Sequence, residues 1–160
     1  MSEGRNLILS GGPGRGKTHL AVALAYKAIQ NGFEARFVTA TALIDELAEA
    51  ARRGALREVT AEYVQPHVLV IDEVGYLQHA TAAAYVLYGV IDHRCLRRRP
   101  IILTTNKPLR EWGTVLHDPQ LAEALLDRIL ERGQHIKLGG ASWRTRGLKV
   151  PDLVPRGPAS

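Results

Sequence analysis

The sequence predicts an α/β fold: a three-layer αβα sandwich built around a five-stranded parallel sheet. Three observations predict it. Short strand-like runs recur at NLILS, ARFVT, HVLVI, IILTT and residues 134–138. The runs HVLVI and IILTT lack the alternation of a half-solvated strand, as expected where both faces are covered. Segments with helical spacing separate each run from the next, and strand–helix alternation is the pattern of a parallel sheet with helical crossovers.

The elements follow in order. NLILS ends in glycines and reads as a buried strand. Residues 18–30 lack Gly and Pro and repeat Leu20, Ala21, Leu24, Ala25 and Ala28 at helical spacing, with Asn31-Gly32 as the stop. ARFVT is the second strand. Residues 41–51 place Leu43, Ile44, Leu47 and Ala48 on one helical face, with Thr41 expected as N-cap. Residues 56–64 form a short helix before Pro66. HVLVI (67–71) is the third strand. Residues 80–98 form a long helix with Leu87, Ile91 and Cys95 in its buried stripe, expected to stop at Pro100. IILTT (101–105) is the fourth strand. Residues 119–132 form a helix with Pro119 in its first turn. Gly133 ends it before the fifth strand.

Length and composition bound the function. At 160 residues the chain is about one domain and can bury a core without staples. A single cysteine, Cys95, excludes a disulfide framework and a cysteine zinc site. No apolar run reaches the roughly 20 residues of a membrane span, and the N-terminus is not a signal peptide. Together these place the chain in the cytoplasm with no membrane partner. The net charge of +5 is uneven: residues 1–80 hold 8 basic and 9 acidic side chains, residues 81–160 hold 13 and 7. Such a surplus suits a phosphate-rich partner. Aromatic residues are only 6%, which argues against a base-stacking platform.

The densest chemical signal is Gly11-Gly12-Pro13-Gly14-Arg15-Gly16-Lys17-Thr18, followed by His19. It fits the phosphate-loop pattern G-x-x-x-x-G-K-[ST] and lies between a strand and a helix, as the motif requires. Glycines let several N–H groups converge on one anion, and the helix N-terminus adds partial positive charge. Lys17 is expected to neutralise the β- and γ-phosphates of ATP, and the Thr18 hydroxyl to ligate Mg²⁺. Residues 11–19 are thus the expected nucleotide-binding segment.

Asp72-Glu73 follows the third strand, at the sheet edge where such folds hold nucleotides. Asp72 there would hold Mg²⁺. Glu73 would orient and deprotonate a water for attack on the γ-phosphate, which favours hydrolysis over transfer to a metabolite. Asn106, one residue past IILTT, is placed to contact the γ-phosphate and that water. Phosphoryl transfer also gains from a nearby cation, and Arg128 and Arg144 are the candidates.

Together these residues resemble the AAA+ ATPases, and more narrowly the IstB/DnaC-like group. That group contains the transposition helpers of insertion sequences and the bacterial loaders of the replicative helicase. NLILSGGPGRGKTHLAVALA resembles the family's phosphate-loop region, and VLVIDEVGYL its Walker B segment. IILTTNKPLREWG resembles the sensor-one segment, and DPQLAEALLDRILERGQHIKLGGASWRTR the C-terminal segment. The resemblance covers about residues 6–146. It implies a P-loop NTPase fold, with Asn106 as sensor one, Arg128 as an arginine finger acting in trans and Arg144 as the sensor-two arginine. Residues 111–128 look closer to the insertion-sequence helpers than to the helicase loaders.

The resemblance therefore implies an ATP-hydrolysing helper that assembles on double-stranded DNA as a ring or helical oligomer and serves a transposase. The alternative is a loader whose partner is the replicative helicase. The family usually carries an N-terminal partner-binding domain. Here the phosphate loop begins at Gly11, so residues 1–150 read as the ATPase core alone. Residues 151–160 read as a loose Pro-rich tail, in which LVPRG resembles a thrombin-cleavage linker.

Arg94, Arg97, Arg98 and Arg99 form a basic run at the end of the long helix. Cations there suit the helix dipole and could equally meet DNA phosphates. Residues 128–160, with 7 basic and 2 acidic side chains, are a second such stretch. Arg52 and Arg53 lie between two helices, in a region that faces the pore in many AAA+ rings. The six histidines show no metal-ligand spacing. Trp112 and Trp143 are expected to anchor loops.

Overall fold

A computed structural model describes residues 4–75 and 80–139. Five parallel strands form one sheet: β1 (Asn6–Ser10), β2 (Ala35–Thr39), β3 (Val68–Asp72), β4 (Ile101–Thr105) and β5 (Gly133–Lys137). Their spatial order is β2-β3-β4-β1-β5. The chain leaves β1 for the far edge, steps back to β4 and then crosses β1 to reach β5. Connections therefore diverge on either side of β1, and in such sheets the carboxyl end at this point is where ligands bind.

Side chains alternate between the two faces, as the strand period of two requires. Leu9, Val68, Val70 and Ile102 meet Ala21, Ala25 and Ala28 of α1 (Lys17–Gln30). The small alanines let this helix lie close on the sheet. Ile8, Leu69, Ile71, Ile101 and Leu103 point the other way, into the larger core cluster. That layer holds α2 (Ala40–Arg52), α3 (Leu56–Val64), α4 (Ala80–Leu96) and α6 (Pro119–Leu130). The three-layer sandwich and the five-stranded parallel sheet expected from the sequence are both present.

The N-cap of α2 is Thr39 rather than Thr41: its hydroxyl accepts from the Ala42 N–H at 3.2 Å. Thr39 still has the extended backbone of β2, as an N-cap must. The long helix α4 ends at Leu96, ahead of Pro100. Arg98 adopts a left-handed φ of 55°, its N–H donates to the Cys95 carbonyl, and Arg99 N–H donates to the Arg94 carbonyl. This pair of bonds is the Schellman stop, which satisfies terminal carbonyls before proline is reached.

A 3₁₀ turn (Leu109–Glu111) and a short helix α5 (Trp112–Val115) were not anticipated. They follow from Trp112, which is fully buried in the larger core and ties this connection down.

Arg94 corrects the reading of the basic run. It is fully buried. Its guanidinium donates to the carbonyls of Tyr63, Val64, Pro66, His67 and Pro100 at 2.8–3.3 Å. Burial lowers its pKa to about 10, so it stays charged at neutral pH. Arg94 therefore joins α4 to the end of α3 and the chain entering β3 and β4, and is sealed away from any external phosphate. The tail at 151–160, Trp143 and Arg144 lie outside the described residues.

Candidate nucleotide site

The site grows from the carboxyl ends of β1, β3 and β4. Parallel register sets Ser10 beside Thr105, and Ile71 beside Leu103. Asp72 and Thr104 thus reach the edge together, next to the loop that leaves β1.

Glycine geometry shapes that loop. Gly11, Gly14 and Gly16 have φ of 152°, 72° and 84°, which L side chains rarely adopt. A Cβ on Gly11 would sit 2.5 Å from the Leu138 carbonyl oxygen, so only glycine fits there. Gly16 is the N-cap of α1 and supplies no side-chain acceptor. A helix opened in this way points its first-turn N–H groups toward an anion.

Lys17 folds back over the loop, and its Nζ donates to the carbonyls of Gly11 and Gly12 at 2.9 and 2.8 Å. Arg15 lies along the loop, its Nε 3.5 Å from where a Gly12 Cβ would stand. Pro13, Thr18 and His19 are exposed on the loop and the first turn of α1.

The Thr18 hydroxyl donates to both Asp72 carboxylate oxygens, at 2.9 and 3.1 Å. Asp72 is only 4% exposed. A hydroxyl and a carboxylate in contact are hard oxygen donors of the kind Mg²⁺ takes. The glycine cradle and this oxygen pair both fit a Mg²⁺-nucleotide. Thr18 and Asp72 would hold the metal, and the loop with Lys17 the phosphates.

Glu73 is exposed and has a left-handed φ of 58°, unusual for a residue with a Cβ. Its backbone N–H donates to the Thr104 hydroxyl at 2.9 Å. That hydroxyl in turn donates to Asp72 Oδ1. Thr104 escaped the sequence reading. Its one visible signal was a polar residue near the end of an otherwise apolar strand.

Asn106 stands exposed beside the segment that follows Glu73, its Oδ1 4.0 Å from where a Gly75 Cβ would lie. Lys17, Thr18, Asp72, Glu73 and Asn106 therefore share one edge of the sheet.

Arg128 does not share it. The neighbouring Ile129 carbonyl accepts from Asn6 Nδ2 at 3.1 Å, and Asn6 begins β1. From Asn6 to Ser10 the strand rises about 13 Å. Arg128 thus sits toward the amino edge of the sheet, opposite its own phosphate loop. There its Nε donates to Asp92 Oδ1 at 2.8 Å, and this hydrogen bond raises its pKa further.

Arginines near the amino edge line two adjoining hollows. One of about 700 Å³ is bounded by Arg5, Arg98, Arg132 and Glu131, the other of about 250 Å³ by Arg97, Arg98 and Arg99. Among the described residues of the second half, Arg97, Arg98, Arg99 and Arg132 lie there. Arg52 lies elsewhere, paired with Glu49 at 2.7 Å. No helix among the described residues is long and apolar enough to cross a membrane.

The chain is similar to known proteins in sequence and in fold. A family model described as IstB-like ATP binding protein matches residues 1–149. The chain is 42% identical over 147 residues to a Geobacillus stearothermophilus protein named as an ATP-binding protein of insertion sequence IS5376. It is 35% identical over 146 residues to a Pseudomonas aeruginosa counterpart from insertion sequence IS21. These alignments cover 92% and 91% of this chain but 58% and 55% of the relatives, so it spans just over half their length.

Among solved structures, the DnaC helicase loader superposes with a TM-score of 0.74 at 25% identity, covering 86% of this chain and 80% of that one. Domain III of the Thermotoga maritima replication initiator DnaA gives 0.75 at 23% identity, covering 89% and 59%, a likeness of fold. With a family model matched over nearly the whole chain and relatives above 30% identity, this chain belongs to the IstB-like ATP-binding proteins, on an AAA+ P-loop fold.

Proposed function

We propose that this chain binds ATP with Mg²⁺ and hydrolyses it, in an oligomer where Arg128 of one copy completes the site of the next. The carrying observation is the split of the machinery: phosphate loop and acidic pair at one edge of the sheet, Arg128 at the other. A residue on the far edge can serve a site only in a second molecule. Mg²⁺, once bound, neutralises phosphate charge. Lys17 and the glycine loop hold the phosphates. Asp72 and Thr18 supply the metal's oxygen ligands. Glu73 accepts the proton of the attacking water, and Asn106 orients that water. Arg144 is proposed to contact the nucleotide as a sensor.

The wider role proposed is that of a helper that assembles on double-stranded DNA during insertion-sequence transposition, with a transposase as partner. The insertion-sequence names of its relatives support this reading. The fold likeness to the DnaC loader favours a second one, loading of the replicative helicase.

One experiment tests the catalytic core of the proposal. Specific ATPase rate should rise with protein concentration, more steeply when duplex DNA is added at fixed low salt. Lys17→Ala and Arg128→Ala should each be inactive alone. Mixed, they should recover part of the activity, because each supplies what the other lacks. No recovery on mixing, with both variants folded, would count against the shared site.

A further inference from the structure

Glu73 has a geometric problem. Its backbone holds a left-handed φ of 58°, a strained conformation that surrounding contacts must sustain. It is also exposed, so no packing fixes its direction. A base must be held close to its working geometry, because an error of about 1 Å can cost roughly 10²-fold in rate.

The contacts that sustain it come from β4. The Thr104 hydroxyl accepts from the Glu73 N–H at 2.9 Å and donates to Asp72 Oδ1. The Thr104 carbonyl accepts from the Val74 N–H at 2.9 Å. Thr105 donates its own hydroxyl to the Val74 carbonyl at 2.6 Å. The turn that carries Glu73 is thus pinned by two successive threonines. Of these two, Thr104 is the one that touches both acids.

Among the described residues two hydroxyls meet Asp72, and they differ. Thr18 is exposed on the first turn of α1, where its hydroxyl can turn to a metal. Thr104 is 1% exposed inside a central strand; its one proton goes to Asp72, and one of its two lone pairs accepts from Glu73. A hydroxyl that accepts from one acid's backbone and donates to the other's carboxylate links their positions.

We propose that Thr104 is a positioning residue of the ATPase site, its buried hydroxyl holding Asp72 and aiming Glu73 in one arrangement. This rests on Glu73 being the base, as proposed above. Thr104 need not touch nucleotide at any stage; it acts on turnover through the two acids.

The test compares Thr104→Val, which keeps the shape and removes the hydroxyl, with Thr104→Ser, which keeps the hydroxyl. Glu73→Gln is the control, and Thr104→Ala replaces the valine variant if that one fails to fold. ATPase kcat and the Kd of a fluorescent ATP analogue are measured on the full chain with Mg²⁺. The expected result is a fall in kcat of about 10²-fold for valine, with Kd changed less than about threefold, and serine close to wild type. Wild-type kcat in the valine or alanine variant overturns the inference. So does a serine variant as slow as valine, or a loss of affinity that matches the loss of rate. Normal hydrolysis by Glu73→Gln would instead overturn the assignment of the base, which separates the two failures.

Discussion

At the scale of single residues, the site depends on where a Cβ is forbidden and where a polar atom is placed. Gly11→Ala would drive its Cβ to 2.5 Å from the Leu138 carbonyl oxygen, at a φ where alanine is strained. It should cost about 1–3 kcal/mol of stability and abolish nucleotide binding, measured by thermal melting and titration calorimetry. Glu73→Gln should keep nucleotide affinity and lose about 10²- to 10⁴-fold in turnover, read from phosphate release. The phosphate loop, Asp72 and Glu73 were legible from the sequence because their chemistry is packed into short spacings. Thr104 was not, because its meaning comes from lying beside Asp72 on a neighbouring strand, 32 residues away along the chain.

At the scale of elements, the most informative side chain is Arg94. In sequence it looks like the first member of a basic run. In the fold its planar fork gathers the carbonyls of four residues from 63 to 67 and that of Pro100. These carbonyls end α3 and lead into β3 and β4. Arg94→Met should strip these carbonyls of the guanidinium donors and cost about 3–5 kcal/mol in urea denaturation. Arg94→Lys should recover little, because a point charge cannot span the same set of acceptors. Arg98 offers the opposite case. Its left-handed φ of 55° closes α4, so Arg98→Gly should stabilise the protein by a few tenths to about 1 kcal/mol. A lower melting temperature for that variant would show that the Arg98 side chain contributes more than its backbone strain costs.

At the scale of the whole molecule, the sheet has two chemically distinct ends. The carboxyl edge gathers the glycine loop, Lys17, Thr18, Asp72 and Glu73, while the amino edge carries Arg128 with Arg98 and Arg132 nearby. Copies stacked head to tail would bring unlike edges together, and such contacts close into rings or continue as helices. Sedimentation with a non-hydrolysable ATP analogue should therefore show larger species than the nucleotide-free protein. Glu73→Gln should shift further in ATP itself, because it retains the nucleotide.

The sequence by itself determined the alternation of strands and helices, the phosphate loop and the acidic pair. Each is written in residues that are neighbours along the chain, where periodicity and spacing carry the information. Tertiary structure alone decided that Arg94 is an internal staple, that Thr104 joins the two acids and that Arg128 faces away from its own loop. Those facts depend on which strands lie side by side and on which edge each helix ends, and these are set by burial of the two sheet faces rather than by local spacing.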